Sequence, residues 1–269
     1  MGKSIKLTLE QEQQIIYNYT VLKQGQKKAG AFIPVSDHIV KKVLNKYNIS
    51  IKTLQETNAN KYYINHDFFK VQNEDMAYWL GILGSDGCIS SMENQIYIEL
   101  QRQDKELLEK LNVIIENQRP VKDYETARGY ENSKLYFYSK EIKNDLAQYH
   151  IIPNKTYNPE YRFPEKLKSQ YIKDYIRGLF DGDGSIKQGT SITWQIDTGS
   201  YDIAKKIVEF FAKYDIELQI SFLPKKNVTI YRVYGYTKQK VQKIYNLLYN
   251  TQSILYLKRK KEKFEELLK

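Results

Sequence analysis

Apolar positions along this chain recur with a helical period, switch to a period of two, and then repeat the whole course. In the amino-terminal stretch, Leu9, Ile15, Ile16, Tyr19 and Leu22 follow at helical spacing behind a Thr8–Gln11 capping-box start. Ile39, Val40, Val43, Leu44 and Tyr47 make a second such face, with Ser36 placed to cap it and Lys41, Lys42, Asn45 and Lys46 opposite. Residues 52–73 sustain no period and read as an extended linker. Lys61, Tyr62 and Tyr63 within it suit a segment lying along a DNA groove, and equally a strap packed on the next domain. From Glu74 an apolar helix is followed by strict alternation over residues 95–102. A helix opened by Asp104 then carries Leu107, Leu108, Leu111, Ile114 and Ile115, and a second strand pair ends at residues 135–140 before a helix to Tyr149. The second half runs the same way, with a strand at 192–197, a helix at 201–214 and strands at 218–223 and 229–236. Each unit reads αββαββα. The expected class is α+β, with a helical segment at 1–51, a linker at 52–73 and tandem repeats at 74–165 and 166–269.

Two strings anchor the repeat. Trp79-Leu80-Gly81-Ile82-Leu83-Gly84-Ser85-Asp86-Gly87 and Ile176-Arg177-Gly178-Leu179-Phe180-Asp181-Gly182-Asp183-Gly184 each run from an apolar helix into Asp-Gly, with their aspartates 97 positions apart. The same offset lays Tyr97 on Trp194 and Leu111 on Val208. Glycine inside a helix costs about 1 kcal/mol relative to alanine, and close approach of two backbones is the usual reason for it, so Gly81 and Gly178 are the expected helix interface. Asp86 and Asp183 then sit where the negative end of the helix dipole disfavours an anion. Side by side they would repel by roughly 3 kcal/mol at about 5 Å and an effective dielectric near 20. A site for divalent cations would tolerate that arrangement. For a single string an ordinary turn after a buried helix would be the plainer reading; two in register weigh against it.

The strings resemble the LAGLIDADG motif of homing endonucleases in its monomeric, two-motif form, over about residues 66–269. The resemblance implies metal-binding carboxylates at Asp86 and Asp183, backbone carbonyls offered to metal by Ser85 and Gly182, and close-packing glycines at Gly81 and Gly178. It also implies two pseudo-twofold sheets laid on DNA, with catalytic lysines at Lys155 and at Lys260 or its neighbour Lys258. The implied activity is a metal-dependent double-strand cut leaving short 3′ overhangs, with Mg²⁺ (or Mn²⁺) as cofactor and a long, near-palindromic duplex as target of a monomer. A cleavage-inactive DNA-binding regulator and an RNA maturase are the alternatives. Trp79, Leu80, Arg177 and Gly84 depart from the motif, and Arg177 implies that the second helix is less fully buried at that point. Residues 29–44 resemble a helix-turn-helix, although Gly30 and Pro34 stand where alanine and glycine are usual. A helical hairpin with solvated lysines is the alternative there.

Composition fits this picture without deciding it. The formal charge of +10 suits a polyanionic partner, although a bias towards Lys, Asn, Ile and Tyr contributes to it. Expected DNA contacts are Lys41, Lys42, Asn45, Lys46, Lys61, Gln101, Gln103, Gln195, Lys225, Lys226 and Arg232, residue types that reach phosphates or base edges. Lone Cys88 suits a reducing compartment, so a cytoplasmic or nucleoid-associated protein is expected. An organellar origin stays open, and no apolar run suggests membrane insertion. His38, His66 and His150 are scattered, and neither a phosphate-binding glycine loop nor a nucleophile elbow occurs.

Overall fold

A computed structural model describes residues 7–22, 24–51, 62–251 and 253–269, and the chain divides into two compact units, 1–61 and 62–269. Lys61 lies outside the described residues. In the first unit α1 (Leu9–Thr20), α2 (Gln26–Ala29) and α3 (Asp37–Lys46) enclose a small core of Ile15, Tyr19, Ala29, Val40, Val43 and Leu44. The Thr8–Gln11 capping box forms in both directions. Ser36 occupies the cap position of α3, but its side chain makes no capping bond. The helix before the turn is shorter than a helix-turn-helix implies: α2 is a single turn.

The second unit opens with a correction. Residues 62–73 are no free linker but a strap tied to the first repeat. Asn65 donates from its backbone to the Ile115 carbonyl at 2.7 Å, the Gln118 N–H reaches Tyr63 at 3.1 Å, and Phe68 and Phe69 are buried. Of the alternatives for this segment, the described part takes the strap.

Each repeat then follows the expected order. The first has α4 (Glu74–Ser85), β1 (Gly87–Ile89), β2 (Gln95–Gln101), α5 (Lys105–Ile114), β3 (Lys122–Glu125), β4 (Glu131–Tyr138) and α6 (Lys140–Ala147). The second has α7 (Ile172–Asp183), β5 (Gly184–Gln188), β6 (Ile192–Thr198), α8 (Tyr201–Ala212), β7 (Gln219–Pro224), β8 (Thr229–Tyr236) and α9 (Lys238–Tyr249), with α10 (Lys258–Leu268) behind it. Both sheets are antiparallel, in the orders β1-β2-β4-β3 and β5-β6-β8-β7. Alternate burial along β2 and β6 gives each sheet one core face and one outer face.

The constant offset fails after the motif. Gly87 pairs with Ile98, whereas Gly184 pairs with Ile196, so the second hairpin is one residue longer. A one-residue slip reverses every side chain of a strand. Tyr97 therefore faces outward while Trp194 is fully buried, and Trp194 corresponds to buried Ile96. In the following helices burial matches Leu107, Leu108 and Leu111 with Ile203, Ala204 and Ile207, not Leu111 with Val208.

Arg177 is a second correction. It is 0% exposed, with its guanidinium bonded to Asp174 at 2.7 Å and to the Leu248 and Leu255 carbonyls at 3.2 Å each. A charge is tolerated inside when paired and hydrogen-bonded, so its presence does not mark an open helix face.

Candidate nucleic-acid interface and the helix seam behind it

Helices α4 and α7 form the seam between the repeats. A Cβ on Gly81 would lie 2.2 Å from the Tyr175 carbonyl, and one on Gly178 would lie 2.1 Å from the Tyr78 carbonyl. Backbone touches backbone at both glycines. This contact brings the two helix ends together, so that the Asp86 Oδ2 sits 2.8 Å from where a Cβ on Gly182 would stand.

The carboxyls behave as neighbours. Loss of water on packing raises Asp86, opposed by Lys260 and Lys155. Asp183 is pushed up to about 6, first by desolvation and then by the Asp86 charge. Asp183 is exposed by area, but it stands on the rim of a narrow cleft lined by Ser85, Lys155, Thr156, Asp197 and Thr198, which withdraws bulk water from it. A carboxyl raised from 3.8 to about 6 favours the fold below pH 3.8 and loses that favour as pH rises through 6. Asp183→Asn should therefore melt above the wild type at pH 7.5, with the gain shrinking to nothing near pH 4. Equal melting temperatures across that range would show that the carboxyl is unperturbed.

Two lysines close the seam from behind. The Lys155 ammonium donates to the Gly87 carbonyl. Lys260 donates to the carbonyls of Phe180 at 2.7 Å and of Gly182 and Gly184 at 2.8 Å each. Gly87 and Gly184 are equivalent in the two repeats, which makes Lys260 the counterpart of Lys155. Lys258 is exposed and stands 3.8 Å from Glu262. The Gly182 carbonyl accepts the Lys260 ammonium, and the Ser85 hydroxyl turns back to Gly81 and Ile82 at 3.2 and 3.1 Å. Among the described residues no group of three or more His, Cys, Asp or Glu converges.

The departure at Gly84 has a physical account. Its counterpart Asp181 is buried and accepts from the Tyr78 hydroxyl at 2.8 Å, the Leu257 N–H at 2.9 Å and the Tyr249 hydroxyl. In the first repeat there is no carboxylate. The Tyr161 hydroxyl donates instead to the Gly84 carbonyl at 2.8 Å and lies 3.1 Å from where a Cβ would stand. These tyrosines, and the bond from Arg259 to Asp104 at 2.8 Å, were not readable beforehand, because their partners lie far apart in the chain.

The expected DNA contacts fall into two groups. Lys41, Lys42 and Asn45 are exposed on α3, and Lys225 and Lys226 at the β7–β8 turn. Gln101 and Gln103 are exposed and bonded to each other at 2.5 Å, and Gln195 is half-buried on the outer face of β6. Lys46 and Arg232 are not free cations: Lys46 pairs with Glu12 at 2.6 Å and Arg232 with Asp197 at 2.7 Å.

The sequence model of the WhiA LAGLIDADG-like domain matches residues 75–144 and 172–267, well over half of the chain and both motif helices. The chain belongs to this family. An uncharacterized protein of Methanocaldococcus jannaschii, MJ0314, is 26% identical over 162 residues, covering 55% of this chain and 54% of the relative. The chain thus spans about half the length of that curated relative. Among solved structures, full-length DUF199/WhiA from Thermatoga maritima superposes with a TM-score of 0.46 at 14% identity, over 76% of this chain and 64% of that one. The meganuclease I-AabMI, bound to uncleaved DNA, gives 0.46 at 11% identity, over 73% and 89%. Membership of the WhiA-like family overturns the expectation of a homing endonuclease: the model that matches is that of the WhiA LAGLIDADG-like domain, so metal-dependent phosphodiester hydrolysis and intron homing are withdrawn. With them go the catalytic roles assigned to Asp86, Asp183, Lys155 and Lys260. No helix among the described residues is long and apolar enough to cross a membrane.

Proposed function

We propose that this protein is a DNA-binding regulator that uses the two-repeat LAGLIDADG frame for recognition without cutting. The observation that carries the reading is the lysine-filled seam. Lys155 and Lys260 place ammonium groups on the helix-end carbonyls of both repeats. These ammoniums oppose the Asp86 and Asp183 charges from within the chain, so the carboxyls at the seam are met without recruiting a cation. The formal charge of +10 and the Lys, Arg, Gln and Tyr side chains on the outer sheet faces support a duplex as partner. The pseudo-twofold repeats suit a long, near-palindromic target bound by one chain. Exposed Lys41, Lys42 and Asn45 on α3 give the amino-terminal unit its own phosphate contacts.

Fluorescence anisotropy on labelled duplexes tests this. Affinity should be the same in excess chelator as in Mg²⁺, and supercoiled plasmid should stay intact in both. Neutralising about six phosphates gives a slope near −5 for log affinity against log salt. Binding that disappears with chelator, or that is indifferent to salt, would overturn the reading.

A further inference from the structure

We infer that Arg232, held by Asp197, reads a guanine edge in the major groove near the centre of the bound site. The inference rests on the duplex-binding reading above and adds the base that is recognised and the residues that recognise it.

The geometry is in the edges of the guanidinium. Arg232 uses Nε on Asp197 Oδ1 at 2.8 Å and one Nη2 hydrogen on Oδ2 at 2.7 Å, a side-on fork. The end-on edge, made of Nη1 and the second Nη2 hydrogen, carries no bond among the described residues. That edge presents two parallel N–H donors, which match the O6 and N7 acceptors of guanine. A side chain with free torsions would lose entropy on taking up this pose; one clamped by a carboxylate is already in it. Both residues are half-exposed and stand opposite each other on the outer face, where Asp197 of β6 pairs in register with Arg232 of β8.

The position has a counterpart. Asp197 follows Ile196, the partner of Gly184, and Glu99 follows Ile98, the partner of Gly87. Glu99 faces Lys134 across β2 and β4, bonded at 2.6 Å, with the Lys134 ammonium 3.6 Å from the centre of the Tyr97 ring. Two acid–base pairs therefore flank the seam at equivalent places. Only the second carries a fork, because a lysine is a point charge with no planar pair of donors. The two inner half-sites should accordingly differ: one demands guanine and the other does not.

The test is selection from a randomised duplex pool, followed by competition binding on the selected site. The wild type should show one strongly required guanine in the inner part of one half-site. Arg232→Lys keeps the charge and should bind unselected duplex within about threefold of wild type, while its preference at that one base pair falls about tenfold or more. Asp197→Asn should lower preference at the same base pair and nowhere else, the signature of a positioning residue. A measurement on the DNA needs no variant: 7-deazaguanine at that position removes the N7 acceptor and should weaken the wild type about tenfold, but Arg232→Lys little. A selected site whose base preferences are unchanged in Arg232→Lys, or with no required inner guanine, overturns the inference and leaves the regulator reading standing. Failure of the wild type to bind any duplex overturns the regulator reading itself, and the guanine assignment with it.

Discussion

Gly178→Ala is expected to leave little or no folded protein. The added carbon would meet the Tyr78 carbonyl at 2.1 Å, the Gly81 Cα at 3.0 Å and the Ile82 nitrogen at 3.0 Å, all backbone atoms of the facing helix. Ordinary contact begins near 3.4 Å, so α4 and α7 would have to separate by more than an ångström. No rotamer change relieves a clash with backbone. The separation would open a seam lined by Tyr78, Trp79, Tyr175, Ile176 and Leu179, all essentially buried, and forfeit their dispersion contacts together. A loss of about 4–5 kcal/mol or more, at the far end of single-substitution effects, is the consequence. Gly25→Ala is the control, since nothing lies within 4 Å of a Cβ there. Urea midpoints should differ by about 1.5 M at an m-value of about 3 kcal/mol/M; a Gly178→Ala midpoint matching that of Gly25→Ala would mean the seam is not this close.

Lys260→Met should be the next most damaging change. Methionine keeps much of the apolar bulk but supplies no donor, leaving the carbonyls of Phe180, Gly182 and Gly184 without the ammonium that serves them. The Phe180 carbonyl keeps the Gly184 N–H, so at most two acceptors are orphaned; at about 1–3 kcal/mol each the gross penalty is about 2–6 kcal/mol. Removing a buried cation gives part of this back, and a net loss of about 3 kcal/mol is expected. Burial draws the Lys260 pKa down to about 8, which means its charge is held against a cost that the three acceptors offset. Lys258→Met, on an exposed side chain, should change stability by less than about 0.5 kcal/mol. Thermal unfolding of both variants decides between them, and a Lys260→Met protein as stable as Lys258→Met would remove the lysine from the seam.

Much of the frame was legible because its signals are local. Helical and twofold periods name the elements, and glycine inside a helix is costly enough to demand the interface found at Gly81 and Gly178. Errors arose wherever the deciding contact is remote. The fixed offset placed Tyr97 on Trp194, and only strand pairing shows that one hairpin has gained a residue. Arg177 read as a sign of exposure, because its partners at Leu248 and Leu255 are about 70 positions away. The nuclease reading followed from keeping both aspartates, yet a carboxylate pair does not reveal what stands behind it. Here that is Lys260, whose basic run could not be resolved by spacing. Asp197 was seen as a polar strand residue, but its hold on Arg232 depends on register between β6 and β8, which no single strand records.

The burial of Asp181 also sets an order of events during synthesis. Of its three donors, Tyr78 precedes it in the chain, whereas Tyr249 and the Leu257 N–H are made about 70 residues later. Lys260 and Arg259, which tie the last helix to the second motif and to Asp104 of the first repeat, come later still. A nascent chain paused at residue 240 would hold both motif helices and Lys155 but not yet the Tyr249, Leu257 and Lys260 donors. The bonds from α10 to the second motif and to Asp104 of the first repeat can therefore form only once residues 257–260 have left the exit tunnel.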